Sequence, residues 1–213
     1  MSVAVSCPRC GGEVRAPDLM SSDWRCNVHG AVLPFHVVPH ASEETVELAR
    51  AVARVPLWVP WPLLPGWTVT GIGWAGDDRS GGRATALACT GPAPLGGVAD
   101  VVLVSEEPGV GLGARYAGLE GPDPGPALAD ALTHTVAHAK VTTAGHPAPL
   151  WSVRSADGRS AYVGEAEGLW LWAILWPADA GYVFAEQVNL LDLRESLPGP
   201  LIFGAPSPYL NGQ

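Results

Sequence analysis

The chain has 213 residues, enough for one sizeable domain or for one domain with a small appendage. Hydrophobic residues make up 47% of it and charged residues 15%, which excludes overall disorder and allows a substantial buried core. The net charge of −9 and the presence of a single lysine, Lys140, exclude a basic stripe for nucleic acid. The 26 glycines and 21 prolines favour short strands and turns over long helices.

The first twenty residues contain no basic segment followed by an apolar one, so no secretory signal is predicted. The longest apolar run, GLWLWAILWP at 168–177, has about half the length that a membrane-spanning helix needs and instead predicts a buried strand. Cysteines are too sparse in a chain of this length to indicate a disulfide scaffold. We therefore expect a cytoplasmic protein without a membrane span.

The first motif in the chain is a set of cysteines and a histidine with the spacing of a zinc site. Cys7 and Cys10 form a C-x2-C pair, and Cys26 and His29 follow 15 residues later as C-x2-H. Zinc prefers four tetrahedral ligands of thiolate sulfur and imidazole nitrogen, and a two-residue gap lets both members of a pair reach one ion. A glycine after each pair frees the backbone for a tight turn. The motif predicts bound Zn2+, with Trp24 as a cover for the site.

Two other interpretations of these cysteines are a redox-active C-x2-C pair and two unrelated thiol pairs. A redox pair should follow a strand of a βαβ unit, yet only six residues precede Cys7. Because protein groups fill all four positions, no coordination site stays open for water, and the zinc is predicted to be structural. His36 and His40 are substitutes for His29 that do not match the spacing. Residues 1–40 are thus predicted to form a zinc ribbon.

The segment 41–56 is predicted to be a connecting helix. Ser42 is a candidate N-cap, and the two glutamates after it suit the positive end of the helix dipole. Leu48 and Val52 belong to an apolar stripe that packs the helix on the main domain, and Pro56 stops the helix. Dimerisation through this helix is the alternative, with about three turns available.

Residues 57–213 are predicted to form a mostly antiparallel β domain. The prolines of VPLWVPWPLLPGW predict an extended segment in which Trp58 and Trp61 fill the core, with an exposed aromatic platform as the alternative. GWTVTGIGW and RATALACT are predicted to be the strands of a hairpin, with Asp77 and Asp78 in its turn.

A glycine-rich loop follows the next predicted strand, at 98–104. Its GVGLGA stretch matches the dinucleotide pattern G-x-G-x-x-[GA], but Glu106 and Glu107 would repel phosphate and no βα repeats surround it. A structural loop is therefore predicted. The alternative is a loop that binds an anionic small molecule, and its candidate ligand-binding residues are Gly109, Gly111, Gly113 and Arg115.

A short helix is predicted over 127–139, with His134 and His138 on one face. The metalloprotease motif needs glutamate after the first histidine, where Thr135 stands here. These histidines are therefore predicted to be an exposed pair rather than a metal site.

The final third of the chain is predicted to be strands, in PLWSVRS, RSAYVGEAEGLWLWAILW and GYVFAEQVNLLDL, with a turn at 157–158. Alternate residues of LWLWAILW place tryptophans on one side and leucines on the other. Because both sides are apolar, this strand is predicted to be central and covered on both faces. No Ser-His-Asp elbow, H-E-x-x-H motif or P-loop is present, so no catalytic residue is predicted.

The whole chain resembles an uncharacterised family of actinobacterial proteins, a domain of unknown function. The resemblance covers nearly all of residues 3–208 and rests on the motifs CPRCGG, CNVHG, PWPLLPGWTVTG, AGDDRSGGRATALACTGPAPLGG, EEPGVGLGARYAGLEGPDPGP, GEAEGLWLWAILWP and DLR. Some members carry a phosphotransacetylase label, which no motif of this sequence supports. The resemblance therefore implies no specific activity.

Together these observations predict an α+β protein, with an N-terminal zinc ribbon followed by a mostly antiparallel β domain with few short helices. Two classes of function remain open. The first is a protein-interaction or regulatory module with a structural zinc. The second is a small-molecule-binding protein or an enzyme that acts on an anionic ligand at the Gly109–Arg115 loop.

Overall fold

The computed structural model describes residues 4–19, 21–38, 40–185 and 187–210. Its helices are α1 (Glu43–Val52), α2 (Leu112–Ala117) and α3 (Gly125–His134), and a 3-10 segment covers Ala178–Ala185. Its strands are β1 (Ala4–Ser6), β2 (Val14–Arg15), β3 (Arg25–Cys26), β4 (Gly30–Ala31), β5 (Phe35–Val38), β6 (Trp58–Pro60), β7 (Thr68–Asp77), β8 (Gly81–Pro92), β9 (Val98–Glu106), β10 (Ala139–Thr143), β11 (His146–Val153), β12 (Ser160–Ala166), β13 (Leu169–Trp176) and β14 (Val188–Asp192). Within these described ranges, no helix is long and apolar enough to cross a membrane.

One large sheet forms the body of the molecule, in the strand order β1-β5-β7-β8-β9-β13-β12-β11-β10-β14-β6. Neighbouring strands run antiparallel, except that β10 and β14 are parallel. The last strand, β6, packs back on β8 and β9, so the sheet curls over one of its own faces. A second sheet has the order β2-β3-β4. The predicted α+β fold, with mostly antiparallel strands and few short helices, is confirmed.

Two apolar cores cover the two faces of the large sheet. Strand β13 contributes to both, because Leu171 and Leu175 enter the core inside the curl while Trp172 and Ile174 enter the core beneath α2. All four of these side chains are at most 1% exposed, which confirms the prediction of a central strand covered on both faces. Trp58 is also buried inside the curl, as predicted for a residue that fills the core.

Helix α1 begins as predicted but packs through a different stripe. The Ser42 hydroxyl accepts the backbone N–H of Thr45, which satisfies one of the free donors of the first turn. The buried face consists of Thr45, Val46 and Ala49, and it packs on β7 and β8. Leu48 is 45% exposed, so the predicted stripe is wrong at this position. The spacing of the apolar residues also permits a buried helix face that contains Val46 and Ala49, and tertiary packing selects that face.

Helix α3 is shorter than predicted and separates the two histidines. It ends at His134, because Thr135 has an extended backbone with φ −139° and ψ 154°. His138 lies beyond the helix, next to the start of β10, and its Nδ1 accepts the backbone N–H of Ser152 at 3.1 Å. The prediction that the histidines share one helix face is therefore wrong.

The last third contains two features that the sequence did not predict. A two-residue turn at Glu167 and Gly168, with φ 57° and 77°, divides one long predicted strand into β12 and β13. Positive φ at both central positions is the requirement of a tight hairpin turn. The predicted strand that begins at Gly181 is a 3-10 segment as far as Ala185, and only its second half forms β14.

The ribbon is continuous with the large sheet. Strands β1 and β5, both within residues 1–40, pair with each other, and β5 pairs with β7 of the main domain. The large sheet thus takes strands from the first and the third of the predicted regions, and the division at residues 40 and 56 remains a prediction.

Candidate metal centre

The four predicted ligands come from two turns of the ribbon. The first turn runs from Cys7 to Gly12 and is closed by two backbone hydrogen bonds, from Gly11 to Cys7 and from Cys7 to Gly12, each of 2.8 Å. In the second turn, Cys26 ends β3 and His29 immediately precedes β4. Pairing of β3 with both β2 and β4 fixes the position of this second turn.

Glycine after each ligand pair has the role that the sequence predicts. Gly11 and Gly30 have φ 72° and 70°, in the left-handed region where a side chain is strained. Gly11 has a second constraint, because a Cβ there would lie 2.7 Å from a guanidinium nitrogen of Arg115. A side chain at position 11 would therefore be strained by its backbone conformation and would also require the guanidinium group of Arg115 to move.

The donor atoms lie at the distances expected around one tetrahedral ion. Sγ of Cys7 is 3.6 Å from Nδ1 of His29, and Sγ of Cys26 is 3.8 Å from that nitrogen. The sulfurs of Cys10 and Cys26 are 3.7 Å apart, and all four donor atoms lie within 4.8 Å of one another. Bonds of about 2.3 Å to sulfur and about 2.0–2.1 Å to nitrogen give tetrahedral edges of about 3.8 Å and about 3.6 Å. The four residues are thus close enough to hold a metal ion, and the donor set is compatible with zinc.

The surroundings of the two buried thiols differ in their effect on ionisation. Burial raises the pKa of Cys7 to about 11. Burial also opposes ionisation of Cys26, but hydrogen bonds from the backbone N–H groups of His29 and Val28 outweigh it and lower the pKa of Cys26 to about 6. A bound cation would favour the thiolate form of both sulfurs.

The nearby histidine that could substitute for His29 has another role. The imidazole of His36 stacks on the indole of Trp74, with ring centroids 5.4 Å apart. Its Nε2 lies 3.0 Å from the carbonyl oxygen of Gly76. Within the described residues, Cys7, Cys10, Cys26 and His29 are the group close enough to share an ion.

Arginines connect the ribbon to the main domain at two places. Arg9, inside the first turn, donates to the carbonyl oxygens of Gly109 at 2.6 Å and of Val110 at 3.3 Å. Arg79, at the tip of the β7–β8 hairpin, donates to the carbonyl oxygen of Ser22 and lies 3.4 Å from the carboxylate of Asp23.

A cleft of about 640 Å3 lies between the ribbon and the main domain. The ribbon side supplies Trp24, Val32 and Leu33, and the domain side supplies the hairpin tip and the loop that contains Gly109. No motif in the sequence assigns Arg9 or the other arginines of this cleft to a site. The ribbon and the hairpin are about fifty residues apart in the chain, and no local pattern indicates that they face each other.

The four residues of the predicted ligand-binding loop lie in different surroundings. Gly109 lines the cleft, and Gly111 lies under the side chain of Arg9. Gly113 packs on Trp172, where a Cβ would lie 2.2 Å from Cδ1 of the indole. Arg115 lies over the rings of Phe35 and Tyr116. Its guanidinium carbon is 6.0 Å and 5.4 Å from the two ring centroids. The prediction that these four residues bind a ligand stays a prediction.

Two carboxylates use the backbone donors of this loop. Glu106, which is fully buried, accepts the N–H groups of Leu112 and Gly113 at 2.7 and 3.1 Å. Burial raises the pKa of Glu106 to about 7, against the effect of these N–H groups. Asp123 accepts the N–H of Gly109 at 2.8 Å. The start of α2 is thus capped by the protein's own carboxylate.

The fold defines the class of protein. A ribbon of knuckle-like turns brings three cysteines and a histidine together, and this ribbon is attached to a curled antiparallel sheet. The chain belongs to a family of unknown function (DUF6758), whose model matches residues 1–210. This confirms the resemblance to a domain of unknown function. No curated protein and no solved structure matches the chain.

Proposed function

We propose that this chain is a cytoplasmic zinc-binding protein whose structural Zn2+ holds the ribbon in place as a protein-interaction or regulatory module. The observation that carries the proposal is that the donor atoms of Cys7, Cys10, Cys26 and His29 lie within 4.8 Å of one another, with three of the distances matching the edges of one zinc tetrahedron.

The closed ligand set supports a structural rather than a catalytic ion. Four protein ligands complete the tetrahedral shell, so a substrate or water would have to displace one of them. The part of the ribbon between β1 and β5 has only short strands of its own, since β2, β3 and β4 have two residues each. Metal binding then supplies the free energy that folds this segment.

The cysteines support a reducing compartment. All four are free, and the sulfurs of Cys10 and Cys26 are 3.7 Å apart, well beyond disulfide length. Cys89, outside the ribbon, is fully buried and lies in the core inside the curl. Thiols that serve as metal ligands persist in the cytosol, where disulfides are rare.

The exposed apolar side chains of the ribbon support an interaction role. Leu19 is fully exposed, and Val28, between the ligands Cys26 and His29, is 77% exposed. Exposed apolar residues on a rigid turn offer contact area to a protein partner at little cost in conformational entropy.

Metal analysis of the purified protein tests the first half of the proposal. Protein purified without exposure to a chelator should contain about one zinc per chain by elemental analysis, since the four donors form one coordination shell. Cys10→Ser should lower this content severalfold, because serine is a poor zinc ligand, whereas Cys89→Ala should leave it unchanged. A wild-type zinc content far below one per chain would contradict the proposal.

Affinity purification from the native host tests the second half. The chain and the double variant Leu19→Ser/Val28→Ser are compared by quantitative mass spectrometry. A matched control, Leu95→Ser/Val136→Ser, replaces two apolar residues that are also exposed but lie outside the ribbon. A protein partner should be depleted only by the ribbon variant. Equal recovery of all proteins with both variants would contradict an interaction role for this surface.

The cleft beside Gly109 favours a second candidate function, the binding of a small molecule. Its volume of about 640 Å3 lies within the range of ligand pockets. Native mass spectrometry of the purified chain tests this function, which predicts a co-purifying mass of a few hundred daltons. The absence of any such mass, together with a failure of added anions to bind, would contradict it.

A further inference from the structure

The cleft between the ribbon and the main domain has a defined construction. At one end, Arg9 joins the ribbon to the loop of Gly109 and Val110. At the other end, Arg79 joins the hairpin tip to the ribbon through Ser22. Two arginines thus link the ribbon to the domain beside a cleft of about 640 Å3.

A third arginine lies on the domain side of this space. Arg83, near the start of β8, binds the carboxylate of Glu107 through Nε and Nη2. Its Nη1 has no partner among the residues that the structure describes. The side chains of Arg79 and Arg83 are 60% and 44% exposed, so both guanidinium groups can be reached from solvent.

The donors of the cleft suit one anionic group. Its lining includes the guanidinium groups of Arg9, Arg79 and Arg83, and the carboxylates of Asp23 and Asp77. The carboxylate of Asp77 accepts hydrogen bonds from the backbone of Arg79 and from Ser80. With Glu107, which pairs with Arg83, three carboxylates balance the three arginines, so the group that would hold an anion is the unused donor of Arg83, its Nη1, rather than a net positive charge. Guanidinium groups donate in a fork that fits carboxylate and phosphate oxygens.

The other wall of the cleft is apolar. Trp24, Val32 and Leu33 line it from the ribbon, and Val110 lines it from the loop. An indole and branched aliphatic side chains beside cationic donors suit a ligand with an apolar or aromatic body and one charged end.

We propose that the cleft between the ribbon and the β7–β8 hairpin binds an organic oxyanion. Arg83 and Arg79 receive its carboxylate or phosphate, and Trp24, Val32 and Leu33 receive its apolar body. The inference deepens the second candidate function and rests on it. It assigns the ligand class and the binding residues, which the glycine-rich loop alone does not provide.

Titration by NMR tests this inference on the full chain as purified. Benzoate and phenyl phosphate distinguish a carboxylate from a phosphate ligand, and phenol is the neutral control. At least one anion should shift the side-chain Nε–H signals of Arg79 and Arg83 and the indole N–H signal of Trp24 in a saturable manner. Phenol should shift none of them.

Variants connect the binding to the named arginines. Arg83→Gln and Arg79→Gln should each weaken binding of the anion by on the order of tenfold, because each removes a charged hydrogen-bond donor. Arg154→Gln, which alters an exposed arginine outside the cleft, should bind as the wild type does. Circular dichroism and zinc content of each variant establish that the fold is retained. Because two arginine positions are tested, the inference can still be contradicted if one of the variants fails to fold.

Two results would overturn the inference. One is the absence of saturable shifts with either anion, and the other is equal affinity of the cleft variants and Arg154→Gln. If a small molecule co-purifies with the chain while either result holds, the second candidate function survives and only the assignment to this cleft fails. Zinc content is measured separately, so neither result bears on the structural metal.

Discussion

Strands β2, β3 and β4 of the ribbon have two residues each, whereas β7, β8 and β9 of the large sheet have nine to twelve. Around the ribbon turns, Cys7 and Cys26, two of the candidate metal ligands, are fully or almost fully buried. In the large sheet, residues such as Trp172 and Ile174 are buried among other apolar side chains. Coordinate bonds can thus do in one region what apolar burial does in the other.

This difference explains how the short strands of the ribbon and the large sheet can be stabilised in different ways although β5 joins them. A segment as short as the ribbon cannot bury enough apolar surface to offset the entropy of ordering its backbone. The large sheet buries both of its faces and does not need a metal. The two regions should therefore respond separately to changes of metal, pH and side-chain volume.

Removal of the metal should produce the largest difference in stability between the ribbon and the large sheet. Structural zinc in small domains contributes apparent binding free energies of about 10–16 kcal/mol, so the ribbon should unfold after chelation. Hydrogen exchange monitored by mass spectrometry should show loss of protection in β2, β3 and β4, while β8, β9 and β13 stay protected. If the ribbon amides stayed protected from exchange after the metal was removed, the expected difference in stability between the two regions would be contradicted.

The stability of the large sheet should depend on pH through Glu106, which is the last residue of β9. Its pKa is raised from 4.5 to about 7, so the native state holds a proton that the unfolded chain releases. The corresponding stability is fully present below about pH 4.5 and is lost as the pH rises through about 7. The expected loss is about 3 kcal/mol in the free energy of unfolding.

Urea unfolding of the wild type and Glu106→Gln checks this dependence. Between about pH 5 and about pH 8, the stability of the variant should improve relative to the wild type, because glutamine does not titrate. Glu120→Gln, which alters an exposed neighbouring acid, is the control and should follow the wild type. Parallel pH curves for the wild type and Glu106→Gln would refute the assignment.

Gly113→Ala should disturb the core beneath α2 and leave the ribbon intact. The new Cβ would lie 2.2 Å from Cδ1 of Trp172, so the indole or the helix must move. Such overpacking costs about 1–3 kcal/mol, which a lower urea midpoint would reveal. Gly199→Ala is the control, because no atom lies within 4 Å of its Cβ position. If the two variants were equally stable, the close contact with Trp172 would be disproved.

Ser42→Ala should have the smallest effect. It removes the side-chain acceptor for the N–H of Thr45 at the start of α1, which costs about 1 kcal/mol. Ser196→Ala, at an exposed position, should change stability by less than about 0.5 kcal/mol. Thermal unfolding of both variants measures the difference, and its absence would show that the cap does not stabilise the helix.

The features that could be predicted from the sequence are those encoded by local spacing. The C-x2-C and C-x2-H pairs indicate the four residues that the structure brings together, and the alternation around Trp172 predicts a strand covered on both sides. Ser42 was recognised as a cap because the residue type and its position before the helix suffice.

The features that could not be predicted depend on contacts between distant segments. Leu48 and Val46 both fit an apolar helix stripe, and only the position of β7 and β8 decides which is buried. The turn at Glu167 requires positive φ at a residue other than glycine, which composition does not indicate. Arg9 and Arg83 line one cleft, and no local pattern relates two positions so far apart in the chain.

The pairing of β1 with β5 makes the ribbon the long loop of a hairpin at the edge of the large sheet. The 28 residues from 7 to 34 separate Ser6 from its partner Phe35. An ion that joins Cys7 to His29 reduces the freely moving part of this loop about fourfold, which lowers its closure entropy by about 1 kcal/mol. A metal ion held there would thus favour attachment of β1 to a sheet that the ion does not touch. Its loss should loosen that edge even where every ladder hydrogen bond is still available.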